Sequence, residues 1–151
     1  MKPEPQPFLV VRAGRLLCAI ELSQIGEVLR PLAMSTIRGA LPAVAGLAVV
    51  RGRSVPVLDL RRLLSEDSPP PPSRWVTLRS PGPLAVAVDG VEEVRWLQPD
   101  ELDEAPLLSE SAAGTLTRIG ALDRDILLHF EGARILPLLE GTATGGGEAS
   151  A

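Results

Sequence analysis

The sequence predicts an all-β protein, mainly strand with one or two short helical turns, built as two tandem five-stranded β-barrels. Three observations predict it. Aliphatic runs are short and end at Gly, Pro or charge, as strands do. A run of prolines divides the chain near its middle, and the same order of segments recurs on either side of it.

Residues 1–7 hold three prolines and no apolar pattern, which predicts a flexible N-terminus. Five strands follow in the first half, at Phe8–Val11, Leu16–Ile20, Val28–Leu29, Leu47–Val50 and Val55–Leu58, giving a first barrel over 8–67. Ser68–Ser73 reads S-P-P-P-P-S, where missing backbone donors exclude helix and central strand, so 68–73 is a connector. The second barrel, over 74–139, takes its strands from Trp75–Leu78, Leu84–Val88, Val91–Leu97, Leu116–Ile119 and Ile126–Phe130. Residues 140–151 are glycine-rich, with little to bury, and are expected to be disordered. Helix is expected as a turn capped by Ser23 and as a turn at Leu60–Leu64 after Asp59, with both Arg61 and Arg62 exposed.

The halves match internally. Val11-Arg12 leads through Gly14 to L-L-C-A-I-E, and Leu78-Arg79 leads through Gly82 to L-A-V-A-V-D. Ile25-Gly26-Glu27-Val28 corresponds to Val91-Glu92-Glu93-Val94, and Pro56–Leu60 to Ile126–Phe130. Three matches in the same order predict a duplicated β unit, and small barrels remove the sheet edges such a unit would expose.

Composition excludes much. Leu, Ile, Val and Phe fill 46 of 151 positions, so the chain is not globally disordered. No apolar run approaches the roughly 20 residues of a membrane span, and no basic flank precedes an apolar leader. The chain therefore reads as soluble and cytoplasmic. A net charge of −4 with 3% aromatic residues and no Tyr argues against nucleic acid, although a small barrel stacking single strands stays as an alternative.

Catalytic templates are missing: no nucleophile elbow, phosphate-binding glycine loop or C-x-x-C occurs. One Cys and one His give no disulfide and no multi-histidine metal site. Asp100, Glu101, Asp103 and Glu104 lack the pattern of a calcium loop and read as a solvated loop. His129 reads as a strand-end polar residue and Cys18 as a small core residue. No cofactor or metal is expected; a small enzyme using Glu21, Asp59 or Asp89 is the remaining catalytic alternative.

Gly46–Leu60, G-L-A-V-V-R-G-R-S-V-P-V-L-D-L, puts Arg51-Gly52-Arg53 at a hairpin tip, as a solvated turn or as a rigid guanidinium for a partner carboxylate. This run resembles the signature of the CheW family, adaptors of bacterial chemosensory arrays, in which Asn-Leu-Arg-Gly precedes a Pro and an Asp-Leu. Further likeness spans Phe8 to Ile135: the F-L-V-V opening, E-L-S-Q-I-G-E-V, A-V-D-G-V-E-E-V and L-T-R-I-G-A-L-D-R. The resemblance implies a pair of five-stranded SH3-like barrels. It also implies a non-enzymatic adaptor, cytoplasmic and associated with chemosensory arrays. Such an adaptor binds the cytoplasmic tip of a chemoreceptor (a methyl-accepting chemotaxis protein) and the regulatory domain of a CheA-type histidine kinase.

By the same resemblance the receptor helix lies in an apolar groove whose matching positions are Leu9, Leu22, Ile25, Val28 and Val91, with Arg51 nearby; Glu27, Val49, Arg51 and Arg53 face kinase or a sister CheW-like adaptor. Leu22, Ile25 and Val28 recur every three residues, so a turn-rich segment aligns them on one side, as a groove or as core. Val49 replaces the signature Asn, and Gly132 and Pro137 shorten the helix usual after the last strand. Both departures fit a reduced adaptor that binds a receptor or sister adaptor without recruiting kinase.

Overall fold

The computed structural model describes residues 4–37, 42–64, 69–79, 82–98, 101–104 and 115–134. The chain forms β1 (Gln6–Ala13), β2 (Leu16–Glu21), β3 (Ile25–Leu29), β4 (Val44–Val50), β5 (Arg53–Asp59), a one-turn helix α1 (Leu60–Leu63), β6 (Arg74–Leu78), β7 (Leu84–Val88), β8 (Gly90–Leu97), β9 (Asp103–Glu104), β10 (Leu116–Leu122) and β11 (Asp125–Phe130). All ten expected strands are present. Ser23 sits inside a 3-10 turn, Leu22–Gln24, which has no side-chain cap, so the expected serine cap does not form. The acidic segment is not wholly loop: Leu102 is buried and Asp103–Glu104 pair with β10, while Asp100 lies outside the described residues. After Phe130 the chain makes a 3-10 turn, Gly132–Arg134; the course beyond it and the 140–151 tail lie outside the described residues.

Two sheets hold these strands, in the orders β8-β1-β2-β11-β10-β9 and β3-β6-β7-β5-β4. The proline run divides the sequence but not the sheets. Hairpin β1–β2 joins β8, β10 and β11 from the second half, while hairpin β6–β7 joins β3, β4 and β5 from the first. The expected units, 8–67 and 74–139, are thus corrected: each half lends its first hairpin to the other. The exchange is reciprocal. β2 meets β11 in parallel at Leu17–Ala19, and its counterpart β7 meets β5 in parallel at Ala85–Ala87. Replacing each strand of the first sheet except β9 by its duplicate in the sequence reproduces the order of the second, which is what a duplicated unit predicts.

Three hydrophobic clusters follow from this arrangement. Phe8, Val10, Leu17, Ala19, Leu97, Leu102 and Leu127 fill the inside of the first sheet. Ala48, Val50, Val55, Val57, Trp75, Ala85 and Ala87 fill the inside of the second. The largest cluster is shared, with Leu9, Val11, Cys18 and Ile20 of the first sheet against Leu58, Val76, Leu78, Leu84, Val86 and Val88 of the second. Neighbouring residues of one strand therefore enter different cores, so both strand faces are buried and the sequence runs uninterrupted in L-L-C-A-I and L-A-V-A-V.

A buried polar joint ties the sheets. Asp59 caps α1 by accepting from the Arg61 amide, and the Arg61 guanidinium returns to the same carboxylate through Nε and Nη2, both at 2.9 Å. Arg61 Nη1 donates to the Pro70 carbonyl at 2.6 Å and to Asp89 at 2.8 Å, and Asp89 also accepts from Gly14 N at 2.6 Å in the β1–β2 turn. Arg61 is 1% exposed, so the expectation that both helix arginines face water holds for Arg62 alone. A buried charge survives only when paired and hydrogen-bonded, and two carboxylates and a carbonyl supply that here.

Candidate functional site

Exposed apolar residues gather on β8, an outer strand of the first sheet. Register places Val94 opposite Leu9, Val91 opposite Val11 and Trp96 opposite Pro7, so these β8 residues share the face that Leu9 and Val11 turn to the common core. Leu9 and Val11 are buried, whereas Val91, Val94 and Trp96 are 37%, 49% and 64% exposed at the sheet edge. Leu22 and Ile25 pack half-buried against the same core.

β3 does not align Leu22, Ile25 and Val28 on one side. It is a strand, and its burial alternates, with Ile25, Glu27 and Leu29 partly covered and Gly26 and Val28 open to water. Its register against β6 shifts between Ile25 and Val28. Within that shift Thr77 Oγ1 accepts from Glu27 N at 2.9 Å and donates to Glu27 O at 3.2 Å. A Cβ on Gly26 would lie 2.9 Å from the same hydroxyl, which explains the glycine. Of the expected groove positions, then, Leu9 is buried, Leu22 and Ile25 are half-buried, and Val28 and Val91 are exposed.

Arg51 bonds to Glu27, next to Val28 in the chain. Val50 pairs with Arg53, so Arg51-Gly52 form a two-residue turn, and φ is +54° and +78° at the two positions, the positive pair that a type I′ hairpin requires. The turn reaches β3, where Arg51 Nε donates to Glu27 Oε1 at 3.0 Å and Nη2 to Oε2 at 2.8 Å. β3 and β4 are the outer strands of their sheet, so this fork links its two edges. The Arg51 hydrogen bond holds the Glu27 carboxyl below its usual pKa, and Glu27 in turn raises that of Arg51. Because the Arg51 side chain is 77% exposed, one face of the guanidinium is left open to a partner.

A second apolar surface lies on the far side of the hairpin. Val49 is 67% exposed, and Leu32 and Met34 are 45% and 44% exposed. With Leu47, Ala48 and Ser54 they line a depression of about 590 Å³; Arg53, next to Ser54 in the chain, is exposed. Sequence reading missed Val94, Trp96, Leu32 and Met34. The first two carried a signal, apolar residues two apart in V-R-W, whereas Leu32 and Met34 lie in a segment with no period. Among the described residues no group of three His, Cys, Asp or Glu is placed to hold a metal ion, and no helix is long and apolar enough to cross a membrane.

Residues 7–140 match the CheW-like domain. The chain belongs to the CheW-like family. Its fold agrees with the crystal structure of the scaffolding protein TtCheW from Thermoanaerobacter tengcongensis, with a TM-score of 0.71 at 18% identity over 84% of this chain and 89% of that one. No curated protein matches the sequence.

The CheW-like signature now has a local cause at several positions. A Cβ on Gly46 would fall 2.6 Å from the Ser35 carbonyl, because Ser35 and Leu47 exchange backbone hydrogen bonds at 2.8 Å. Gly52 serves the positive-φ turn, and Asp59 binds the buried arginine. Val49, at the signature Asn position, points outward and adds apolar surface where an amide would have offered hydrogen bonds.

Proposed function

We propose that this chain is a non-enzymatic adaptor of a bacterial chemosensory array, holding a chemoreceptor's helical cytoplasmic tip against the exposed apolar residues of β8 and β3 and coupling it to a CheA-type histidine kinase. The reading is carried by two sets of residues: exposed Val91, Val94 and Trp96 on the outer strand β8 of one sheet, and exposed Val28 on the outer strand β3 of the other, next to Glu27, which fixes Arg51. An amphipathic receptor helix would bury its apolar stripe against these side chains, and a carboxylate on its flank would meet the open face of Arg51. Kinase, or a sister CheW-like adaptor, is assigned to the other side of the hairpin, where Val49 and Arg53 border the Leu32–Met34 depression. Family membership supports the adaptor role, and the structurally similar TtCheW is described as a scaffolding protein.

Parallel binding of the intact protein to the receptor tip and to the kinase regulatory domain tests the reading. Val94→Asp and Val28→Asp are expected to weaken receptor binding roughly tenfold or more, since a charge set in an apolar contact removes one of its anchors. Val49→Asp is expected to spare the receptor and weaken kinase binding. Ile25→Asp is a poorer probe than the residue spacing suggested, because Ile25 packs on the shared core. Receptor binding without kinase binding assigns the reduced adaptor, and binding to neither overturns the proposal.

A further inference from the structure

An outer strand of a sheet offers backbone donors and acceptors on its free side, a template for one more strand. Three of the four outer strands of this protein are guarded. β9 is two residues long, β4 exchanges backbone hydrogen bonds with Ser35 at Leu47, and β3 is held by the Arg51 fork at Glu27 within a shifted register. β8 differs from all three. It runs for eight residues along β1, and among the described residues no strand lies on its other side. Val91, Glu92, Glu93, Val94 and Trp96 are all exposed.

The side chains of β8 divide into an apolar set and a charged set. Val94 and Trp96 stand opposite Leu9 and Pro7 on one face, and the register shift at Val10/Val11 returns Val91, opposite Val11, to that face. Glu93 and Arg95, opposite Val10 and Phe8, share the other face, where Arg95 Nε donates to Glu93 Oε1 at 2.7 Å. Asp123 lies further from Arg95, at 4.0 Å from Nη2, and the Arg95 and Glu93 side chains stay 40% and 44% exposed. Two copies of β8 related by a two-fold axis normal to the sheet pair in antiparallel register, with residues of one face opposite residues of the same face. Centred on Glu93 or on Arg95, such a ladder sets like charges directly opposite each other, which is unfavourable. Centred on Val94, it sets Glu93 of each copy opposite Arg95 of the other, Val94 opposite Val94, and Trp96 opposite the bulge that carries Val91. The four charges then alternate in sign, each glutamate lying between its own arginine and that of the other copy.

We propose that the protein self-associates as a two-fold dimer in which β8 of each copy pairs with β8 of the other, centred on Val94. The occupant of the free edge is a second copy of this chain: backbone hydrogen bonds supply the affinity, and the charge pattern admits one register and rejects its neighbours. The dimer does not rest on the receptor reading of the same residues. It uses the backbone edge of β8, whereas a receptor helix, with its own backbone groups paired internally, uses only the side-chain surface.

Sedimentation equilibrium of the intact protein, from micromolar to millimolar concentration and with no receptor present, tests the pairing. A monomer–dimer equilibrium is expected. Glu93→Arg sets arginine opposite arginine at both symmetric positions, and Arg95→Glu sets glutamate opposite glutamate, so each is expected to weaken the dimer roughly tenfold or more. The double variant Glu93→Arg with Arg95→Glu reverses every charge and restores every pair, and its dimer is expected to return to within about threefold of the unaltered protein. Hydrogen exchange on the unaltered protein reads the same contact without any substitution: β8 amides are expected to slow as concentration rises. A monomer over the whole range, β8 exchange independent of concentration, a dimer that neither single reversal weakens, or a double variant no tighter than the single ones overturns the proposal.

Discussion

Replacing Arg61 by Met separates a buried joint from a solvated helix turn. Methionine fills much of the arginine volume, but it withdraws the three donors given to Asp59 and Asp89 and the one given to the Pro70 carbonyl. Asp59 is 4% exposed and would be left as a buried carboxylate facing no cation nearer than Arg62 Nε, 3.9 Å away. Breaking such a pair from one side costs roughly 3–5 kcal/mol, a large part of the ~5–15 kcal/mol that holds most domains folded. At about 2–4 °C per kcal/mol for a chain of this size, the melting temperature falls by roughly 6–20 °C. Urea unfolding monitored by circular dichroism, with the m-value compared between variants, gives the difference directly. Arg62→Met is the control: that side chain is 41% exposed and its ion pair is long, so the expected change stays within ~0.5 kcal/mol. Adding Asp59→Asn to Arg61→Met removes the stranded charge and is expected to restore part of the loss. An Arg61→Met variant as stable as Arg62→Met would refute the reasoning.

Four other outcomes follow from the same structure. Gly46→Ala pushes a methyl group into the Ser35 carbonyl, and a loss of about 1–3 kcal/mol in thermal unfolding is expected, with the Leu32–Ser35 segment displaced from β4. Burial pushes the Cys18 thiol up to about 12, so iodoacetamide should leave the native protein unlabelled at pH 8 and label it fast in urea; native labelling at the unfolded rate would contradict its place in the core. For His129 the folded pKa lies below the ordinary 6.5, so the unfolded chain binds the proton more readily, and stability declines as pH falls from about 6.5 until the folded value is passed. Melting curves of wild type and His129→Gln should therefore converge as pH falls through that window, and parallel curves would rule the effect out. Arg51→Glu sets two carboxylates side by side at an exposed turn, so melting should change little while partner binding weakens; a collapsed fold would make the Glu27 fork structural.

Parts of the candidate site were legible in the sequence and parts were not. The Arg51-Gly52 turn was legible because a two-residue hairpin with positive φ has a residue signature. Spacing misled at Leu22, Ile25 and Val28, because a period of three suits a turn-rich segment, while the chain there is a strand whose bulge is held by Thr77, fifty residues on from Glu27. Trp96 and Val94 alternate with charge and read as ordinary strand residues, and nothing local says that the face they share with Leu9 runs out from the core to the edge. Arg61 looked exposed for a similar reason. Asp59 is two residues away, but Asp89 and the Pro70 carbonyl, which bury it, arrive from other parts of the chain.

By itself the sequence determined where the strands are and that they come in two like sets. Strand ends are set locally, by glycine, proline and charge, and duplication repeats that punctuation. Only the tertiary structure decided which set each hairpin joins. A β-ladder bonds backbone to backbone, so β1–β2 meets β8 and β11 with the same groups it would offer to strands of its own half. Runs buried on both faces carry no period to tell one core from another, so the assignment of neighbours such as Ala19 and Ile20 to different clusters appears only when both sheets are in place. The proposed surface inherits that dependence, because β8 carries it from the second half while its ladder partner β1 comes from the first.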